Sequence, residues 1–230
     1  MSHVLFWDID GTLLSTARAG IFALEQAARD VTGAEPDLSG MHTAGMTDFL
    51  IALEVLEAMG RERSEDEAAA LLRAYEAHLP ERLTWRQGQV LPGVREVLDD
   101  VARRPGVHSL LLTGNTRAGA RAKLDHYDLA GYFEDGAFCA DGDDRPAIAR
   151  RAWAMAGERL DGRLDGERAY VIGDTAHDVH AAHAIGARAV AVLTGPAPRV
   201  DVEAAGPWRV WDALPAPQEF AAQLGLPDRA

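Results

Sequence analysis

Apolar residues in this chain follow two patterns, which divide it into two regions. A short continuous apolar run occurs at residues 3–7, and mainly apolar stretches at 107–112, 169–172 and 187–193 are predicted to be further strands. Such runs are typical of strands in a parallel sheet that is covered on both faces. Between residues 13 and 89 the apolar positions recur at helical spacing instead, and no convincing strand is found.

The helical region begins with a stretch that carries Ile21, Leu24, Ala28 and Val31 on one face and ends at Gly33. Further helices are predicted over residues 48–59 and 66–79, the second opened by a possible capping box. We therefore expect a small all-helical domain at residues 15–88, inserted after the first strand. The core domain then consists of residues 1–14 and 89–230.

In the second half of the chain the predicted strands alternate with helices. The helices are expected at residues 94–103, 117–127, 146–160, 177–185 and 218–224, with short strands near 137–140 and 208–211. This alternation predicts an α/β fold in which a parallel sheet is wound by right-handed crossovers. Ligands of such sheets bind outside the carboxyl ends of the strands.

Composition excludes some partners. The chain has 23 Lys and Arg residues against 36 Asp and Glu residues, a formal net charge of −13. Nucleic acid or an anionic membrane would require a basic patch, so neither is the expected partner. The single cysteine, Cys139, forms no internal disulfide and is expected to be a small buried residue. With no signal peptide and no membrane span apparent in the sequence, a cytoplasmic protein is expected.

Asp8 and Asp10 directly follow the first apolar run, with Gly11 and Thr12 after them. Side chains two positions apart on an extended segment point the same way, so both carboxylates can face one ligand. A nucleophilic carboxylate beside an acid/base carboxylate is what phosphoryl transfer through an acyl-phosphate needs. By itself, this pattern is more typical of an Asx turn at a strand end. Polar clusters after two other strands favour the functional interpretation.

The first of these clusters is Thr113-Gly114-Asn115, after the second long apolar run. A hydroxyl and backbone N–H groups just before a helix form a natural anion site. Taken alone, Thr113 and Asn115 are better interpreted as cap and turn residues.

The second cluster places Asp174 and Asp178 after the strand at 169–172. Ligation by oxygens without histidine suits Mg²⁺. Asp174 is interpreted as a metal ligand. Asp178 is either a ligand or an acidic residue that stabilises the first turn of its helix.

In this order, the three clusters resemble the motifs of the haloacid dehalogenase superfamily, and in particular its phosphoglycolate-phosphatase-like members with a helical cap of the C1 type. The resemblance implies a Rossmann-like three-layer α/β/α core and a magnesium-dependent phosphohydrolase. Asp8 would be the nucleophile and Asp10 the acid/base, and the expected phosphate-binding residues are Gly11, Thr12, Gly114 and Asn115. Mg²⁺ would be bound by Asp8, the Asp10 backbone carbonyl and Asp174, with Asp178 as a ligand or just behind one.

The third motif of that family usually offers a Lys before a Pro, whereas this chain has Arg145 before Pro146. A guanidinium supplies the same positive charge and a forked set of donors for phosphate, so Arg145 is taken as the substitute. An alternative is a surface Arg at a helix start. The only lysine, Lys123, is expected to be a solvated helix residue.

Two other features are expected to play no catalytic role. Thr47 and Asp48, where related proteins place a substrate-reading loop, are interpreted as helix-capping residues. His177, His180 and His183 are spread over about a third of a helix circumference, so solvated positions are expected rather than a shared metal ion.

The expected function is therefore hydrolysis of a small phosphorylated metabolite by a monomer or homodimer. A phosphomutase on the same scaffold and a non-catalytic binding protein are the alternatives. Halide removal is a weaker one, because in the same superfamily that chemistry does without the acid/base carboxylate that Asp10 provides.

Overall fold

The computed structural model describes residues 2–140 and 143–229 of the chain. Met1, Asp141, Gly142 and Ala230, which the sequence assigned to the core domain, lie outside the described residues. The strands are β1 His3–Trp7, β2 Leu14–Ser15, β3 Gln89–Val90, β4 Val107–Leu112, β5 Gly136–Ala137, β6 Ala169–Gly173, β7 Arg188–Val192 and β8 Arg209–Trp211. The helices are α1 Ala19–Thr32, α2 Asp48–Ala58, α3 Glu65–Leu83, α4 Val94–Val101, α5 Arg117–His126, α6 Arg145–Arg159, α7 Ala176–Ala184, α8 Arg199–Ala204 and α9 Pro217–Leu224.

Six parallel strands form one sheet in the order β5-β4-β1-β6-β7-β8. All five residues of the central strand β1 are buried, as its continuous apolar run predicts. Trp7, its last residue, is level with Leu111 in β4 and Ile172 in β6. The loops after these three strands therefore lie side by side at one edge of the sheet. The predicted α/β fold class is confirmed.

Aromatic packing fixes the C-terminal helix on this sheet. Trp7 is fully buried, and its ring stacks on Phe220 of α9 with 5.8 Å between the ring centroids. Trp211 of the edge strand β8 contacts the same Phe220 ring at 5.5 Å. Burying a side chain of this size stabilises a fold by roughly 2–3 kcal/mol. The tail of the chain is thus part of the core rather than an appendage.

Helices α1, α2 and α3 occupy the stretch between β2 and β3 and are called here the helical insert (residues 19–83). Helices α1 and α3 pack along each other, and Leu24 of α1 and Leu79 of α3 are both buried. Strands β2 and β3 pair antiparallel, Leu14 with Val90 and Ser15 with Gln89, and so hold the two ends of the insert together. This pairing was not predicted, because strands of two residues are too short to show the alternation of apolar and polar side chains.

Two helices differ from expectation. Helix α3 was expected to end at Leu79 but continues through Pro80 to Leu83. Arg82 and Leu83 in that last turn are buried, and their packing outweighs the backbone hydrogen bond that proline cannot donate. Helix α8 was not predicted, since six residues with Val202 as the one buried side chain give no periodic signal.

Cys139 is buried and forms no disulfide, as expected. Across residues 2–140 and 143–229, no helix combines the length and apolar character that crossing a bilayer requires.

Candidate active site

Asp8 and Asp10 follow β1 at the carboxyl edge of the sheet. Asp8 is buried, and its N–H donates to the carbonyl of Ile172 in β6 at 3.0 Å. Gly11 has a φ of +79°, and a Cβ atom there would lie 2.3 Å from Oδ2 of Asp174. Only glycine meets both conditions, so this turn brings the loop after β1 against the loop after β6.

Three buried carboxylates converge at this edge. Asp8, Asp174 and Asp178 each place an oxygen within 4.8 Å of the others, a grouping that can hold a metal ion. Burial, followed by the neighbouring charge of Asp8, raises the pKa of Asp174 to about 8. Three carboxylates buried close together repel each other unless they share a cation or a proton.

Arg145 supplies one positive charge to this group. It is 3% exposed at the start of α6, after Asp144, whose side chain caps the helix by accepting from the N–H of Ala147. Its Nη1 donates to Oδ1 of Asp8 at 3.3 Å, and its Nη2 donates to Oδ1 of Asp178. The alternative of a surface arginine does not describe this position. Arg145 lies against the carboxylate that the sequence analysis identified as the nucleophile.

Asp178 combines the two possibilities that the sequence left open. Its Oδ2 accepts from the backbone N–H of Thr175 at 3.1 Å and from its hydroxyl at 2.8 Å, so it caps α7. Its Oδ1 faces Arg145. A Cβ atom on Gly173 would lie 2.1 Å from Cγ of Asp178, so the preceding glycine makes room for this carboxylate.

The loop after β4 meets Asp10 rather than Asp8. Nδ2 of Asn115 donates to Oδ2 of Asp10 at 2.9 Å and to the hydroxyl of Thr113 at 2.8 Å. Thr12, the other predicted phosphate-binding residue, donates through its hydroxyl to Oδ1 of Asp174 at 3.4 Å. Asn115 therefore contacts Asp10 directly and holds the Thr113 hydroxyl, whereas Thr12 contacts the group of three buried carboxylates through Asp174.

The expectation for Lys123 is wrong. It is 4% exposed, and its Nζ donates to Oδ2 of Asp10 at 2.5 Å and also to Oδ1 of Asn115. Burial alone lowers a lysine pKa, but here the charges of Asp10 and other neighbours outweigh burial and raise the pKa of Lys123 above its ordinary value. The helical spacing of the apolar residues could have indicated this burial, because Lys123 shares the buried face of α5 with Ala120 and Leu124.

Thr47 and Asp48 cap α2 but also join the insert to the core. The hydroxyl of Thr47 accepts from the N–H of Leu50 at 3.3 Å, as a cap residue should. The N–H of Asp48 donates to the carbonyl of Gly114 at 2.7 Å, and its Oδ2 accepts from the N–H of Thr116 at 2.7 Å. The capping interpretation is thus incomplete. The loop of residues 43–47 and Asp48 lie directly on the loop after β4.

Asp48 should make stability depend on pH. Burial is the main cause that raises its pKa to about 6, against the opposing charge of Lys123. A folded-state pKa above the ordinary value means that the folded state holds the proton more tightly, so stability falls as pH rises from about 4 through 6. In Asp48→Asn, we expect the free energy of unfolding measured by urea denaturation to fall less over this pH range than in wild type, by about 1–2 kcal/mol. This figure is smaller than the full pKa shift would give, because the Asp48 side chain is partly accessible to solvent.

Asp125→Asn, a surface change on α5, is the control for that measurement. An identical pH profile of unfolding in wild type and Asp48→Asn would show that Asp48 does not titrate in this range.

The model of the haloacid dehalogenase-like hydrolase family matches residues 3–186, which include every residue of the site described above. The chain belongs to this family. Membership confirms the resemblance read from the motifs and the hydrolase class expected from them. It also fits the observed parallel sheet.

Curated relatives of this haloacid dehalogenase-like chain carry two kinds of name. The tyrosine-protein kinase PtkA of Mycobacterium tuberculosis is 30% identical over 197 residues, which are 84% of this chain and 62% of PtkA. The chain thus spans less than two thirds of the length of that relative. The probable phosphatase IndB of Dickeya dadantii is 29% identical over 219 residues, 93% of this chain and 91% of IndB.

Solved structures share the fold. A predicted phosphoglycolate phosphatase from Haemophilus somnus superposes with a TM-score of 0.72 at 18% identity, covering 97% of both chains. CbbY from Rhodobacter sphaeroides, solved in complex with phosphate, gives 0.69 at 18% identity, covering 93% of this chain and 95% of its own. At this identity the likeness concerns the fold alone.

The histidines of α7 remain outside the site. His177, His180 and His183 are exposed, and none belongs to the group of metal-ligating side chains found among the described residues. The solvated positions expected from their spacing are observed.

Proposed function

We propose that the protein is a magnesium-dependent phosphatase that hydrolyses a small phosphorylated metabolite through an aspartyl-phosphate on Asp8. The observation that supports it most is the position of Asp8, buried against Arg145 and within 4.8 Å of Asp174 and Asp178. Phosphoryl transfer needs a nucleophile held where fixed positive charge meets the phosphoryl oxygens. Asp8 is held in this way, because the guanidinium of Arg145 donates to its carboxylate.

The donor set fits Mg²⁺. All the converging ligands are carboxylate oxygens, which this ion prefers. With Arg145 as the one positive group in contact with them among the described residues, the three acids keep an excess of negative charge that a divalent cation would offset. We infer that Asp8, Asp174, Asp178 and the Asp10 backbone carbonyl hold the ion. When bound, it supplies positive charge that stabilises the phosphoryl oxygens.

In the first step, a carboxylate oxygen of Asp8 bonds to phosphorus in line with the ester oxygen. The bond between phosphorus and the ester oxygen breaks, and that oxygen takes a proton from Asp10. Arg145 and the hydroxyl of Thr113 orient the phosphoryl group, together with the N–H of Gly114. Asn115 contributes by fixing the Thr113 hydroxyl, to which it donates.

In the second step, Asp10 is a carboxylate and accepts a proton from water. The water oxygen bonds to phosphorus as the bond between phosphorus and Asp8 breaks. Inorganic phosphate leaves, Asp8 is again a carboxylate, and Asp10 again carries the proton that the next first step needs.

We further propose that residues 15–88 act as a cap over a catalytic core of residues 1–14 and 89–230. The contacts of Asp48 with Gly114 and Thr116 support a closed position, because they set the insert directly on a phosphate-binding loop. A closed cap excludes bulk water and contacts the leaving group.

Gly114→Ala should impair this closure. A Cβ atom at Gly114 would lie 2.5 Å from the carbonyl oxygen of Met46 and 3.1 Å from Cα of Thr47, backbone atoms that cannot rotate away. We expect kcat/KM for p-nitrophenyl phosphate to fall about 10- to 100-fold through misplaced catalytic groups. The matched control is Gly131→Ala, where a Cβ atom would meet nothing within 4 Å. Full activity in Gly114→Ala would contradict the closed-cap assignment.

The names of the relatives leave open which molecule accepts the phosphoryl group. IndB is named a phosphatase and PtkA a tyrosine-protein kinase. A phosphomutase would return the phosphoryl group to a substrate hydroxyl, and a kinase would pass it to a tyrosine. A non-catalytic protein would transfer none. These reactions differ in what receives the group, not in the first attack.

The decisive experiment follows the phosphoryl group. The chain is incubated with a panel of radiolabelled sugar and organic-acid phosphates, with Mg²⁺ or with a chelator, and free phosphate, isomers and labelled protein are separated. Free phosphate that depends on Mg²⁺, with an acid-stable, hydroxylamine-labile protein label during turnover, is expected. Isomer formation without free phosphate would indicate a mutase, and absence of any transfer would indicate a binding protein.

A further inference from the structure

Lys123 is a buried charge that the proposed mechanism does not yet use. It lies on α5, and its Nζ donates to Oδ2 of Asp10 at 2.5 Å and to Oδ1 of Asn115. Nδ2 of Asn115 donates to the same Oδ2 of Asp10 at 2.9 Å. One oxygen of the acid/base carboxylate therefore receives two donors from one helix and the loop before it.

We propose that Lys123 is a positioning residue that fixes Asp10 so that Oδ1 exchanges the proton with the leaving group and with water. This inference rests on the proposed phosphatase function. With Oδ2 occupied by two donors, Oδ1 is the oxygen free to face substrate. Both Lys123 and Asn115 donate to Oδ2 and neither donates to Oδ1 among the described contacts of Asp10.

These two hydrogen bonds are needed to position Asp10 because its side chain is not held in place by burial. Its side chain is 42% exposed, whereas that of Lys123 is 5% exposed. A short carboxylate open to solvent samples other rotamers unless hydrogen bonds select one. Both hydrogen bonds to Oδ2 are charge-assisted when Asp10 is a carboxylate, but only the ammonium adds a full positive charge to the attraction.

Lys123 also sets the orientation of Asn115. An amide has one acceptor side and one donor side, and the acceptor Oδ1 faces the ammonium. The donor Nδ2 must then face Asp10 and Thr113. A single ammonium thus orients both the proton-transfer group and the amide that fixes the phosphate-binding hydroxyl.

Two groups of the helical insert lie near the same ammonium. The carboxyl group of Asp48 at the start of α2 and the neutral phenol of Tyr75 on α3 both contribute to the raised pKa of Lys123, beside Asp10 on the core side. Removal of the ammonium would therefore leave Asp10 and Asp48 without the positive charge that both interact with. A purely structural role would appear as lost stability alone, so the test needs a readout of proton transfer.

The test compares leaving groups. In Lys123→Met, kcat/KM for an alkyl phosphate, whose alkoxide needs a proton, should fall about 100-fold, and kcat/KM for p-nitrophenyl phosphate less than about tenfold. Arg121→Met is the matched control, since Arg121 is exposed on the same helix and pairs with Asp125. Equal losses for both substrates, or none, would overturn the proposal. If Lys123→Met does not fold, Lys123→Gln is measured and the same ratio decides.

A double-mutant cycle shows whether Lys123 acts through Asp10. When Asp10→Asn has already removed proton transfer, adding Lys123→Met should change kcat/KM for the alkyl phosphate by less than about threefold. A further loss as large as in the wild-type background would overturn the proposal. Wild-type phosphate release that depends on Mg²⁺ is measured alongside. If wild type releases no phosphate, the phosphatase function itself is refuted. If wild type releases phosphate and Lys123→Met has the same kcat/KM for the alkyl phosphate as wild type, only the positioning role is refuted.

Discussion

Asp8→Asn is expected to lower magnesium-dependent phosphate release by more than about 1,000-fold, because an amide has no anionic oxygen with which to attack phosphorus. The rest of the site should stay in place, since Asn has the shape of Asp and its oxygen can still accept from Nη1 of Arg145. The measurement is rapid acid quench with a radiolabelled substrate. Wild type should show labelled protein during turnover, and the variant none.

The fold of this variant should not suffer. Asp8 is one of three buried carboxylates, and its charge helps to raise the pKa of Asp174. Arg145 keeps Asp178 as its charged partner in this variant, and removing one of three like charges relieves repulsion, so we expect little change in the free energy of unfolding without metal. Urea denaturation of the variant checks this expectation and separates a loss of activity from unfolding.

Asp125→Asn, a change at an exposed carboxylate of α5, controls for the loss of one negative charge. Mass spectrometry of the variant excludes deamidation back to Asp as a source of residual turnover. Phosphate release within tenfold of wild type, in protein free of deamidation, would reject Asp8 as the nucleophile.

The sheet and the convergence of its acids could be predicted because they depend on long, simple signals. Strands β1 and β6 are buried along their whole length and β4 ends in three buried leucines, and each strand is followed at once by polar residues. Parallel neighbours must bring those ends to one edge. Asp8, Thr113 and Asp174 could thus be placed together without knowledge of any contact between them.

Contacts that depend on one side chain or on very short elements could not be predicted in this way. Lys123 and Asp10 are 113 positions apart, and a lysine on a helix is by default solvated. Only the burial of its neighbours Ala120 and Leu124 shows that this helix face turns inward. The double role of Asp48 likewise depends on the loop after β4, which no local pattern relates to α2.

Arg145→Met should produce the second largest effect. The change removes the positive group that contacts both Asp8 and Asp178, in a position that is 3% exposed. Loss of a fixed charge aimed at a transferring group typically costs about 100- to 1,000-fold in kcat, and we expect a loss of that size. The observable is phosphate release at saturating Mg²⁺.

The same change should separate activity from stability. Removing one member of a buried ion pair destabilises by about 3–5 kcal/mol, because the remaining charges stay buried without compensation. In Arg145→Met the three carboxylates then have more negative charge to offset, so Mg²⁺ should raise the unfolding temperature more than it does in wild type. Activity should not return with the ion, since the ion cannot replace a directional donor to the phosphoryl group.

Arg145→Lys tests whether charge alone is sufficient at this position, and Arg150→Met is the control. Lysine keeps the charge but loses the forked donors that reach Asp8 and Asp178 together, so part of the activity should return. Arg150 is exposed on the same helix, and its replacement should leave both activity and the response to Mg²⁺ unchanged. If Arg145→Lys were no more active than Arg145→Met, charge would not be what this position contributes. Arg145 would then act by its shape, as a clamp that holds Asp178 against α7 and Asp8 against the sheet.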